Sequence, residues 1–324
     1  MNKLLGKMKN LIRSEGDGGS FNKAKDRAIA WIKNSVIKDG GLPSADAPHI
    51  SYQEVTGYTI PTLWMLNEKK LAKSLASWLI SVQRPDGSFS APDGKPYTFD
   101  TGQALRGLMS VMDEMPDVEN NIIRTCEWIM RQIEPDGRVT TPAKDLWHLA
   151  GGRQIPESIH LYVLPPLRDA GEKLGKPEYV KAVQNSISYY KKNNALEKFD
   201  TLSHFFGYIM EALYDLGETE LVRAGMKNIK ILQKRDGSIP AYPDVNWICS
   251  TGMAQLAVVW LKMGIEGPAV KAMRYLCKLQ NESGGFFGSY GKGANYFQRH
   301  EISWGVKYFL DAYILFQNKK TLKA

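Results

Sequence analysis

The stretch "FQRHEISW", Phe297 to Trp304, sets Arg299, His300 and Glu301 in succession between aromatic rings. Such residues can grip an acid group, move a proton and stack on a sugar face. Similar groups recur along the chain: Tyr52, Glu54 and Tyr58; Tyr97 and Asp100; Trp147, Arg153, Glu157 and His160; His204; Tyr242 and Trp247; Tyr296 and Trp304. Hydrolysis of a glycosidic bond needs two carboxylates, one kept protonated, and Glu54, Asp100, Glu157 and Glu301 are the candidates. A uronate lyase or epimerase instead removes a proton beside a carboxylate and holds the enolate. For that chemistry Tyr58, His160, His204 or His300 would be acid and base, with Arg153 or Arg299 on the uronate. Tyr52, Tyr97, Trp147, Tyr242, Trp247, Tyr296 and Trp304 would line the substrate's path.

Each residue also has a plainer explanation. Asp100, Ser203 and Thr251 have the residue types of helix N-caps. A lone histidine is commonly structural, and aromatic residues fill cores. Glu54, Glu157 and Glu301 are poorer caps, and a glutamate on a cavity wall is costly without a partner or a role. No His-x-His or His-x-x-x-His pair occurs, and Cys126, Cys249 and Cys277 show no Cys-x-x-Cys spacing. Neither a metal nor a cofactor is implied.

The elements that must carry these residues repeat. Helical patterns end at turns containing Gly40, Gly87, Gly137, Gly237 and Gly284, at intervals of 47, 50, 100 and 47 residues. The long interval holds two periods, with Asn193-Asn194 expected to replace glycine in a left-handed turn. Each of the six units has two helical patterns, the first with a basic face for water and the second more apolar. Pro61 and Pro165-Pro166 predict a kink or a late start in the second helices of units one and three. Six such hairpins, with no polar cap at the last, predict an all-α (α/α)6 barrel, a closed toroid over 16–324. Every polar restart would then reach one mouth at the end with the long connections.

Several turns read Gln-x-x-x-Gly-x-apolar: Gln83-Gly87-Phe89, Gln233-Gly237-Ile239 and Gln280-Gly284-Phe286, with Gln132-Gly137-Val139 one residue longer. This resembles a degenerate form of the repeat of squalene and terpenoid cyclases and of protein prenyltransferase β subunits, and it implies their toroid. Their chemistry does not carry over with it. Where class II cyclases have Asp-x-Asp-Asp, "YTFDT" keeps only Asp100, with Tyr97 and Thr98 in the other places. Asp244 and Cys249 match part of the prenyltransferase zinc site, but no Cys-His element follows. The zinc ligands of the lanthionine cyclases are absent. "YQEVTGYTIPTLW" and "PESIHLYVLPPLRDAG" are similar to segments of cyclase-like proteins associated with bacterial polysaccharide synthesis. The same toroid serves glycoside hydrolases, uronate lyases and epimerases.

The expected function is therefore that of an enzyme acting on an acidic or lipid-linked glycan. An isoprenoid cyclase-like or polyprenyl-binding protein is the alternative, and a non-catalytic glycan-binding toroid the third. The net charge of +8 is spread along the helices without a nucleic-acid motif, which argues against nucleic acid as a partner. No secretory signal is read at the start, so a cytoplasmic location is expected. Residues 1–15 form an amphipathic helix or arm; its face over 1–13 suits packing on the domain or weak contact with anionic lipid.

Overall fold

The structure, a computed structural model, describes residues 2–142 and 153–321. Six helical hairpins follow one another: α1 (Asn2–Ser35) with α2 (Gln53–Met65), α3 (Lys69–Val82) with α4 (Thr98–Val111), α5 (Glu119–Met130) with α6 (Leu164–Lys173), α7 (Pro177–Asn193) with α8 (Ser203–Asp215), α9 (Thr219–Leu232) with α10 (Ser250–Lys262), and α11 (Glu266–Leu279) with α12 (Ser303–Thr321). The second helices pack side by side in that order, and α12 returns to touch α2, closing an inner ring. The fold is the expected all-α (α/α)6 barrel. Two short strands, Ile248–Cys249 and Ser289–Tyr290, pair antiparallel among the long connections. No helix among the described residues is long and apolar enough to cross a membrane. The apolar face read over residues 1–13 lies outside the described side chains.

Layer follows from composition. In α3 one stripe, Ala72, Leu75, Ala76, Trp78 and Leu79, is buried, and the lysines lie on the other side. In α10 every residue from Ser250 to Leu261 is buried. A helix surrounded by helices must be apolar or small on all faces. At Gly57 of α2 an added Cβ would overlap the Gln103 carbonyl of α4, so these two backbones touch. Pro61 is accommodated inside α2. In unit three the chain enters the inner ring as a 3-10 segment, Glu157–Val163, and α6 starts late with its prolines in the first turn.

The glutamine–glycine turns are the joints between units. Gln83 Nε2 donates to the carbonyls of Gly87 (3.2 Å) and Asn121 (3.0 Å), tying its own turn to the next outer helix. Gln233 does the same with Gly237 (3.2 Å) and Pro268 (2.9 Å). At the seam, Gln280 Nε2 joins Gly284 (2.9 Å) to Ala24 of α1 (2.9 Å), so the last unit grips the first. Gln132, with its extra residue, bonds the Trp128 carbonyl instead and makes no such bridge among the described residues. The Asn193-Asn194 reading is also corrected. Asn194 is extended, at φ −138°, and no left-handed turn forms there. The two side-chain amides cap the carbonyls of Tyr189 and Tyr190, which closes the helix end without a glycine-like turn.

Gly284 has φ +97°, and a Cβ there would overlap the Arg27 carbonyl oxygen. Gly94 has φ +81° with open space around it. Gly94→Ala should cost about 1 kcal/mol from backbone strain alone. Gly284→Ala, which must also displace a helix backbone, should cost about 3 kcal/mol or more. Urea unfolding of both variants checks the difference.

Candidate functional site

The inner helices all start at the long-connection end, and their first turns deliver Glu54, Asp100, His204 and Trp304 to one lumen. One turn deeper, at i+4, come Tyr58, Tyr208 and Tyr308. Residues i and i+4 share a helix face, so each inner helix presents a ladder of side chains pointing inward. Tyr52 donates its hydroxyl to Asp100 Oδ2 at 3.0 Å and also contacts the Glu54 carboxyl. Trp304 Nε1 donates to Glu54 Oε1 at 3.1 Å. Two carboxyl groups are thereby joined through one phenol. Asp100 is the third residue of α4, where the backbone cap position belongs to Tyr97, so the capping explanation fails for it. Ser203 and Thr251 likewise make no cap bond.

Glu54 and Asp100 are each 3% exposed. Burial pushes the Glu54 carboxyl up to about 7, against the opposing pull of the Trp304 and Tyr52 hydrogen bonds and of Lys307. Asp100 is raised well above the usual carboxylate range, by burial first and by the Glu54 charge second. Below neutrality the pair is a proton store. His204 Nδ1 lies 2.6 Å from Gln255 Oε1, so Nδ1 carries the proton and donates. Its ring packs among Tyr208, Trp304 and Tyr308. Burial lowers it to about 3, which makes it a neutral hydrogen-bonding group and not a base at working pH. The Tyr58 hydroxyl is buried one turn below Glu54 with no hydrogen-bond partner among the described residues.

A floor closes the lumen. The Tyr308 hydroxyl donates to the Tyr162 hydroxyl at 3.0 Å, and the Tyr162 and Tyr208 rings lie 4.6 Å apart. Phe99 meets the Tyr208 ring at 4.8 Å. At the rim, Phe297 is 38% exposed at φ +46°, a rare conformation for a bulky residue, with its ring 4.9 Å from Tyr296 and 5.9 Å from Trp304. Tyr162, Tyr208, Tyr308, Phe99 and Phe297 were not singled out from the sequence. The i+4 register below each restart would have found Tyr208 and Tyr308.

The structure does not bring the other candidates to this place. Glu157 is held by Arg138 through two bonds, at 2.8 and 2.5 Å. His160 is buried beside that pair and lowered to about 4 by desolvation. Glu301 accepts from Trp31 (2.6 Å), Asn281 (2.7 Å) and Ser283 (2.5 Å), a full set of partners that fastens the seam. His300 is exposed and bonds Asp46 at 2.9 Å, and Arg299 is exposed. The three consecutive residues Arg299, His300 and Glu301 thus diverge. Arg153 bonds Asp244 at 3.2 and 2.8 Å and stacks on Tyr242, whose ring meets Trp247 at 5.8 Å. Tyr242 stands close enough to Tyr296 to act on its ionisation, which places this group on the rim. Tyr97 donates to Asp93 at 2.8 Å. Trp147 and His148 lie outside the described residues.

No protein-family model matches the chain, and no curated protein matches it. Solved structures do resemble it. An unsaturated glucuronyl hydrolase specific for heparin is 14% identical, over 94% of this chain and 98% of its own, with a TM-score of 0.71. An α-amylase from Clostridium perfringens is 14% identical, over 90% and 98%, at 0.69. A type II terpene cyclase from Scytonema, solved with geranylgeranyl dihydroxybenzoate, is 12% identical, over 93% and 99%, at 0.63. At these identities the likeness is one of fold, the α/α toroid.

Glu54 gives stability a pH dependence of known sign. Between its ordinary value of 4.5 and about 7 the folded chain keeps a proton that the unfolded chain has released. Its contribution is fully present below 4.5 and is lost as pH rises through 7. Glu54→Gln should therefore gain stability relative to the parent between pH 5 and pH 8, read from urea midpoints at each pH.

Proposed function

We propose that this chain is an enzyme that breaks glycosidic bonds in an acidic or lipid-linked glycan at the long-connection mouth of the barrel. Glu54 ionises first in this reading, Asp100 keeps the proton, and Tyr52 links the two. The observation that carries it is this buried pair. A group poised near 7 is matched to acid–base work at neutral pH, and once Glu54 ionises its charge helps keep Asp100 protonated, leaving one carboxylate and one carboxylic acid as hydrolysis requires. His204, Tyr296, Trp304 and the exposed ring of Phe297 offer polar edges and flat faces to a sugar. Hydrolysis is favoured over proton abstraction from a uronate because the cation on the rim, Arg153, lies against its own carboxylate and not beside the Glu54–Asp100 pair. Arg153 is engaged by Asp244, and Arg299 stands exposed. The glucuronyl hydrolase and the amylase among the structural neighbours support a glycan as substrate.

A second reading rests on Asp100. An aspartate held neutral among aromatic rings also suits protonation of an alkene, the alternative represented by the terpene cyclase neighbour. The two readings separate on substrate. Acidic oligosaccharides should raise the melting temperature and be cleaved, and polyprenyl phosphates should do neither. Glu54→Gln should lower kcat about 100-fold or more, with KM changed by a few-fold at most. Cleavage unaffected by Glu54→Gln would remove Glu54 from the chemistry. Stabilisation by polyprenyl phosphate alone would move the assignment to the isoprenoid reading.

A further inference from the structure

Below the tyrosine floor, at the end where the short connections run, the inner helices line a partly open cavity of about 260 Å³. It lies beside Met65, whose side chain is 58% exposed. Part of its wall is apolar, including Val258 and Leu315. The rest carries three cations, Arg106, Lys262 and Lys307, and two carboxylates, Glu211 and Asp311, with a third, Asp215, behind Lys262. Lys262 is satisfied by Glu211 at 3.0 Å and by Asp215 at 2.8 Å. Lys307 is satisfied by Asp311 at 2.7 Å.

Arg106 is the exception. Its guanidinium donates to the Gln103 side-chain oxygen at 3.3 Å and to the Tyr162 carbonyl at 2.9 Å, and it stacks on the Tyr162 ring at 4.3 Å. The charges of Glu211 and Asp215 act on it through space, but neither forms an ion pair with it among the described residues. A guanidinium has five N–H donors and no acceptor, so donors of Arg106 remain after these two bonds. The cavity therefore presents a cation with spare donors beside an apolar surface. It is smaller than the roughly 300–1,000 Å³ usual for drug-sized ligands, which excludes an oligosaccharide and leaves room for a small molecule.

We propose that this cavity binds a small monoanionic amphiphile, a carboxylate with a short apolar tail. The carboxylate pairs with Arg106, and the tail lies along Val258 and Leu315 toward Met65. The site is separate from the mouth and stands whether or not the chain acts on glycans.

Hexanoate is a suitable probe, with hexanol and hexylamine as controls, on the full chain labelled at the methionine methyl groups. The Met65 signal, assigned with Met65→Leu, should move saturably with hexanoate and not with hexylamine. Arg106→Gln should weaken hexanoate binding about tenfold or more, as expected for a lost charged hydrogen bond. Should Arg106→Gln fail to fold, the comparison of hexanoate with hexanol on the parent chain decides. Tighter binding of hexanoate supports the site; equal affinity, or an unmoved Met65 signal, overturns it.

Discussion

At the turns of Gly87, Gly237 and Gly284 the chain passes so close to the next outer helix that any side chain would overlap a backbone carbonyl. The glutamine four residues earlier spans the same gap with hydrogen bonds. Together these contacts set the distance between neighbouring units, and through it the curvature of the ring. The last joint falls on Ala24 and Arg27 of α1, so the ring closes on the chain's own beginning. Closure fixes which side chains face one another across the lumen. Glu54 on α2 and Trp304 on α12 are 250 residues apart, and they meet because the seam holds.

The mouth works against its own scaffold. Helix N-termini favour negative charge, and both Glu54 and Asp100 stand in first turns. Burial wins all the same, because the aromatic lining removes the water that would solvate the anions. Lys307, buried beside the Tyr308 ring at 3.8 Å, pulls Glu54 back toward ordinary acidity. The value near 7 is thus a balance between a dry wall above and a cation below. The same balance makes the site a cost to folding at neutral pH, as expected where pKa values are tuned for proton transfer.

The repeat was legible in the sequence because its glycines answer a steric need that other residue types cannot meet. The one interval without glycine was misread for the same reason. Asn194 caps a helix end by hydrogen bonding and never has to enter left-handed space. At the mouth, position within each unit indicated the end of the barrel at which Glu54, Asp100, His204 and Trp304 lie, since a restart fixes which end a residue occupies. Glu157, Glu301, His300 and Arg153 share that end but are engaged by Arg138, Trp31, Asp46 and Asp244. Those partners come from distant turns, and nothing local in sequence pairs them. The tyrosines of the floor were passed over because a helical aromatic residue reads as core until the ring geometry shows that the core is the pocket wall.

The floor made by Phe99, Tyr162, Tyr208 and Tyr308 turns the barrel from a tube into a cup. A tube lets a polymer thread through and be worked on repeatedly without letting go. A cup admits only an end or a branch, and whatever enters must leave by the same opening before another can take its place. On the proposed reading, such a cup would suit trimming at termini, one release per event, and not travel along a chain.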